Sequence, residues 1–391
     1  MAFATAFYEA LLRGKLFIDA VADARAAAKE FGGNTWAAYQ CYGDPDWHLQ
    51  REGADPQRPS KSLGEVFAAV SSPPALTLAL ETLAVESTFQ GKSAEDQRAK
   101  IRHLEARFEV QWGSIGAVAE AFGVAWTAAL DSARAVEWYE RAMAANDGSA
   151  SIKAAEQLGN LRVRLAWEAV DALRKKGDAL ELRAALPKAR KTIEAALAAL
   201  ERVIAVASSI ERESLCGSAC KRLAMVEAEA GNAAAERQAI TRMKSHYQRA
   251  EDIVRANQHP NLFYPALNRM AAELIVGASE PGWAGFDAAA VTEARQSLTG
   301  RARDDPDFWS IVGLAELRVY EALARGELAV RLASIENEYN DLHLHVSAHW
   351  MWSSVLDQAQ FVLPKYAARA NAAENKAALA LLKLLQRFAQ P

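Results

Sequence analysis

The chain is short of the residues that mark several classes of protein. It has three cysteines, Cys41, Cys216 and Cys220, in 391 residues, too few for a disulfide framework. Cys216 and Cys220 stand one helical turn apart, a spacing that suits two small core residues, and the reading is a reducing, cytoplasmic setting. No run of about 18 apolar residues occurs, so no segment reads as a membrane span. The start, Met1-Ala2-Phe3-Ala4-Thr5-Ala6-Phe7-Tyr8, lacks the basic residues and apolar core of a secretory signal. Basic residues are not in excess: 45 Lys and Arg face 49 Asp and Glu, a net charge of -4. That balance argues against a general nucleic-acid binder. No Gly-rich phosphate loop, paired-histidine metalloprotease motif, kinase signature or hydrolase elbow is present. No cofactor is therefore expected.

What is present favours helix. Glycine (21) and proline (12) are few and clustered, while alanine, which is held in a helix at little entropic cost, is abundant. Hydrophobic residues make up 51% and charged residues 24%, the balance of a chain that buries a core. From residue 113 onward helix follows helix. Gly177-Asp178, Gly231-Asn232 and Gly326-Glu327 each read as a glycine that ends one helix in the left-handed conformation, with the next starting at once. Pro and Gly at 259–265 and 277–285 read as longer loops. The spacing predicts helices from Pro74 to about Gln90 and after the cap Ser93. Residues 51–62, polar and Pro-containing, read as a linker.

Residues 1–50 differ. Phe7, Leu11 and Leu12 stripe a short helix ending at Arg13-Gly14. Phe17, Ala20, Val21 and Ala24 stripe a second from Leu16 to about Glu30. Thr35-Trp36-Ala37-Ala38-Tyr39-Gln40-Cys41-Tyr42, closed by Gly43-Asp44-Pro45, reads as a strand. One strand needs a partner for its backbone groups. The expected organisation is thus a short N-terminal α/β remnant with one strand (1–50), a linker with bridging helices (51–112) and an all-α region (113–391).

Two resemblances sharpen this reading. Ala119, Phe122, Gly123 and Trp126, followed by Ala135, Tyr139, Ala142 and Asp147, resemble a tetratricopeptide repeat (TPR), in which alternating large and small residues close-pack two helices. Leu158-Gly159 and Cys216-Gly217 look like weaker copies of its first helix. The resemblance implies a TPR-like helical-hairpin solenoid that binds protein or peptide partners. At the N-terminus, Phe7-Tyr8, Leu11, Gly14, Ala24-Arg25 and the run Thr35 to Pro45 resemble the C-terminal end of the CHAT domain, a caspase-like peptidase family. It implies the last two helices and last strand of an α/β sandwich, with the catalytic His and Cys lying upstream. On that reading the chain is the tail of a CHAT domain plus the helical region behind it, and Met1 an internal residue or a late start. The rival is a chain that lends its strand to a separately encoded CHAT peptidase half.

The candidate catalytic and metal groups are weak. Cys41 falls in the expected strand rather than at the nucleophile's place, and His48 does not match the family's His. Asp341, His345 and His349 share one helix face, but a straight helix rarely offers a metal three converging ligands. The polar flanks are stronger candidates. Asn160, Arg162 and Arg164 follow Leu158-Gly159; Lys221 and Arg222 follow Cys216-Gly217; Asn268 and Arg269 follow Pro265-Ala266-Leu267. In the repeat family the first helix of each pair lines the concave groove, and Asn160 falls where clamp-type members carry an Asn for a peptide carboxylate. Arg and Asn donate several fixed hydrogen bonds to such a group. The expected ligand is an acidic or C-terminal peptide segment, with Glu156 as the competing internal partner for Asn160 or Arg164.

Overall fold

The structure is a computed structural model that describes residues 2–30, 40–49, 62–89, 92–277, 282–346 and 348–390. The described residues hold 17 helices and no sheet. They divide into two compact units, Met1–Val66 and Phe67–Pro391.

In the first unit α1 (Ala2–Leu12) and α2 (Phe17–Glu30) form a hairpin, and α3 (Leu63–Val66) is a single turn. Gly14 makes the turn at φ 80°. Alanines let the two helices approach closely: Ala10, Ala20, Ala24 and Ala28 are buried with Phe3 and Leu11. Residues 45–48 run beside the start of α2. The Phe17 N–H donates to the Trp47 carbonyl at 2.6 Å and the Ile18 N–H to that of Pro45 at 3.2 Å. A single antiparallel bridge joins Leu16 and His48. The expected strand is not seen among the described residues. Residues 35–39 lie outside the described residues, and Gln40, Cys41 and Tyr42 have no regular structure. The expected linker also lies outside them from 51 to 61.

The second unit is helical throughout. It runs α4 (Pro73–Phe89), α5 (Ala94–Trp112), α6 (Gly116–Ala128), α7 (Ser132–Ala144), α8 (Ile152–Lys176), α9 (Ala179–Val206), α10 (Ile210–Glu229), α11 (Ala233–Ala256), α12 (Phe263–Gly277), α13 (Ala288–Asp304), α14 (Phe308–Arg325), α15 (Leu328–His345), α16 (His349–Ala367) and α17 (Ala372–Phe388). The three glycine turns take the expected form, with φ of 73° at Gly177, 70° at Gly231 and 65° at Gly326. Asp178 and Asn232 then cap the next helix, each side chain accepting a backbone N–H that has no partner within the helix. Glu327 makes no such cap.

Within each pair a second set of glycines sets the packing. A Cβ at Gly123 would stand 2.9 Å from the Tyr139 ring, at Gly159 2.9 Å from Leu200, at Gly217 2.6 Å from the Tyr247 ring, and at Gly313 2.6 Å from Leu298. The leading helices α6, α8 and α10 therefore each meet the returning helix at an equivalent glycine, whereas Gly313 of α14 meets the helix before it, α13. That shared register lets positions on different helices be compared.

The helical unit begins earlier than expected. α4 packs along α6, and α5 contacts both, so helices assigned to a bridge within 51–112 belong to the array. At its other end the helices were expected, but their packing was not. α16 and α17 pair, α17 packs on α15, and α16 reaches back to α12. Trp352 of α16 is fully buried, with its ring edge-on to Phe308 at 5.4 Å and Phe388 at 4.9 Å.

Candidate partner-binding groove

Successive helical residues turn by about 100°, so positions one and five after the packing glycine lie about 40° apart on one flank. In α6 these positions hold Val124 and Ala128; in α8, Asn160 and Arg164; in α10, Ser218 and Arg222. Two of the three helices thus place an arginine at the same point. This periodicity was present in the sequence but becomes readable only once the glycines are known to be equivalent.

Asn160 and Arg164 share the flank as expected, above the buried Leu158 and Leu161. Asn160 is half-buried, and its side chain makes no hydrogen bond to another described residue. Arg164 is 52% exposed, with Glu168, one turn on, 3.7 Å from its guanidinium. An exposed pair at that separation is worth little and leaves the arginine able to take a better partner. Glu156 is not the internal competitor: it is buried and holds Arg212 at 2.6 Å. Arg162 lies on a different flank, bonded to Glu140 of α7 at 2.7 Å.

The remaining expected residues need correction. Lys221 and Arg222 do bind a carboxylate, but it belongs to the chain. Asp357 of α16 accepts from the Lys221 ammonium at 2.8 Å and from the Arg222 guanidinium at 2.6 Å. Lys221 also donates to Gln358 at 2.6 Å and lies 5.4 Å from the centre of the Phe361 ring. Burial alone would raise the Asp357 carboxyl; the two facing cations outweigh it and hold the group far below the usual carboxylate range. Burial lowers the Lys221 ammonium against the pull of Asp357. Arg269 is buried between α11 and α12, ion-paired with Glu251 and with Glu273, the latter at 2.6 Å. Asn268 is spent on its own helix, donating to the Tyr264 carbonyl at 2.9 Å. Arg269 and Asn268 therefore do not extend the open flank.

α16 is held on the leading helices by further polar contacts. Lys365 pairs with Glu236 at the start of α11, and Arg369, just past α16, donates to the Ile275 carbonyl of α12 at 3.0 Å. These partners stand 94 or more residues apart in the chain, and no local signal announces them.

Other candidates carry little. Cys216 and Cys220 are buried and free, and burial pushes each thiol up to about 12, so neither is a thiolate near neutral pH. Cys41 is half-buried and free. The His345 ring contacts the Asp341 carbonyl at 2.7 Å, and His343 stacks on Phe388 at 4.1 Å. Among the described residues no group of three or more His, Cys, Asp or Glu is placed to hold a metal ion. No helix among them is long and apolar enough to cross a membrane.

Equivalent packing glycines, short glycine turns and paired helices in series are the marks of a helical-hairpin repeat. Residues 131–273 match the model of the family described as Tetratricopeptide Repeats-Sensor. The match runs from the Asp131 cap of α7 through most of α12 and takes in Asn160, Arg164, Lys221, Arg222 and Arg269. This region is TPR-like. The stretch with the fullest TPR pattern in sequence, Ala119 to Asp147, begins before the match, whereas the two weaker copies at Gly159 and Gly217 fall inside it. No curated protein matches the chain.

Proposed function

We propose that the helical unit is a non-catalytic scaffold whose open flank at Asn160 and Arg164 binds an acidic or C-terminal peptide segment of a protein partner. The observation that carries this reading is the seat of Asp357. The chain's own groove already grips a carboxylate with the cation that lies five residues after the packing glycine, and Arg164 is the equivalent cation left without such an acid. Asn160 adds an uncommitted donor beside it. The resemblance at Phe7 to Pro45 further supports placing this scaffold beside a CHAT-type caspase-like peptidase, whose activity a groove ligand would govern.

Peptides selected from a displayed library on the full chain should be rich in Asp and Glu. Arg164→Ala should weaken the best of them by about 2 kcal/mol, roughly thirtyfold in Kd. Arg162→Ala, on the other flank, should leave binding unchanged. Selected peptides with no acidic bias, or an affinity that calorimetry finds indifferent to Arg164→Ala, would remove the site.

The absence of catalysis rests on the same resemblance, which puts the family's His and Cys outside the matched segment. The purified chain should cleave no peptide library. Thiol-dependent cleavage that disappears in Cys41→Ser would overturn this part of the reading.

A further inference from the structure

We infer that the external partner is an amphipathic helix patterned like α16, carrying a carboxylate one turn before an aromatic side chain, and that it docks on the flank shared by α6 and α8. The inference rests on the partner-binding reading above and specifies its ligand.

α16 shows what the leading helices accept. Its Asp357 and Phe361 are four residues apart and so project from one face. The acid enters between Lys221 and Arg222, while the ring lies under the Lys221 ammonium. Gln358, one residue on, bridges Lys221 and the Tyr320 hydroxyl, to which it donates at 3.0 Å. A single helix thus satisfies a cation, a polar group and an apolar surface together.

The α6–α8 flank offers the same three elements unfilled. Arg164 occupies the register of Arg222, and Asn160 supplies the polar group. Val124, 37% exposed, and the half-buried Ala128 supply the apolar surface from the equivalent positions of α6. α6 and α8 lie further apart along their lengths than α8 and α10, although their starts are tied together where Glu120 accepts from the Ser151 N–H at 2.7 Å. The flank thus carries apolar side chains on one helix and an arginine on the next. An acidic helix matches it in charge, since the arginine's present neighbour, Glu168, is itself 55% exposed at 3.7 Å. A helix also fits in form, because an acid and a ring four residues apart project from one face and can meet a cation and an apolar side chain together.

The probe is a labelled synthetic peptide copying residues 349–367, added to the full chain and followed by fluorescence anisotropy. Binding should be saturable. It should weaken about tenfold or more with Arg164→Ala and with Val124→Asp in the protein. In the peptide, Asp357→Asn should do the same, as should moving the acid two residues along so that it leaves the ring's face. Arg318→Ala, in α14, should leave binding unchanged. Equal binding by the peptide with the displaced acid would overturn the helical pattern. Binding indifferent to Arg164→Ala and Val124→Asp would place the peptide elsewhere, as exchange with the resident α16 would, and would overturn the docking site. If library-selected acidic peptides bind through Arg164 while this one does not, the partner-binding reading stands and the helical inference fails. If neither binds, both fail.

Discussion

Glu251→Ala should destabilise the helical unit by about 3–5 kcal/mol, the cost of leaving a buried charge without its partner. Glu251 of α11 is 1% exposed and ion-paired with Arg269 of α12, whose side chain is 9% exposed. Its second oxygen accepts from Arg255 at 2.8 Å, and Arg255 reaches on to Glu293 of α13 at 3.0 Å. The carboxylate therefore ties α11 to α12, and Arg255 beside it ties α11 to α13. Removing it strands Arg269 with Glu273 alone, in a place water reaches poorly. The pair itself is not a large net source of stability, because desolvating both ions offsets most of their attraction. Those two statements give a cycle that can be checked. In urea melts, Glu251→Ala and Arg269→Ala should each lower the midpoint sharply, whereas Glu251→Leu with Arg269→Met should recover most of the loss. A single-variant loss below about 1 kcal/mol would mean that water or a neighbour replaces the missing charge.

The same residue shows where sequence reading stops. The turns at Gly177, Gly231 and Gly326 were legible because a left-handed glycine and the polar cap beside it are local features, written within a few residues. The helical class and the hairpin register were legible for the same reason. Arg269 was misread as a groove residue because its partner lies 18 positions away on the preceding helix; spacing within α12 says nothing about it. Lys221 and Arg222 were read as cations for a partner's carboxylate, and the carboxylate they hold is the chain's own. The acid they hold is 135 or more residues away, and only the packing of α16 discloses it. That Asn160 and Arg164 share one flank was legible because the apolar seam of Leu158 and Leu161 fixes it by helical geometry alone. The early boundary of the array was missed for a different reason. α5 carries many charged residues and reads as a bridge, yet Glu109 pairs with Arg141 of α7 and its buried face meets α7 through the Glu105 carboxylate.

That carboxylate makes Trp138→Ala the second large expected effect, a loss of about 3–5 kcal/mol. Trp138 of α7 is fully buried. Its ring stacks on Phe122 of α6 with centroids 4.3 Å apart, and the Arg141 guanidinium lies 4.5 Å from its centre. Its indole N–H donates to Glu105 of α5 at 2.5 Å, beside Arg134, which donates to the same oxygen at 2.6 Å. Truncation to alanine opens a ring-sized cavity in the hairpin and removes a donor from a carboxylate that is 5% exposed. The two contributions are separable. Trp138→Phe keeps much of the ring stack and deletes only the N–H, so it should cost about 1–3 kcal/mol, the range for a hydrogen bond to a charged group. Because Glu105 belongs to α5, both variants should also speed hydrogen exchange across 94–112, more than across α10 to α12. Exchange that stays slow in α5 while the unit as a whole loses stability would show that α5 is held without this bond. The residues before 113 would then be anchored through α4 and α6 instead.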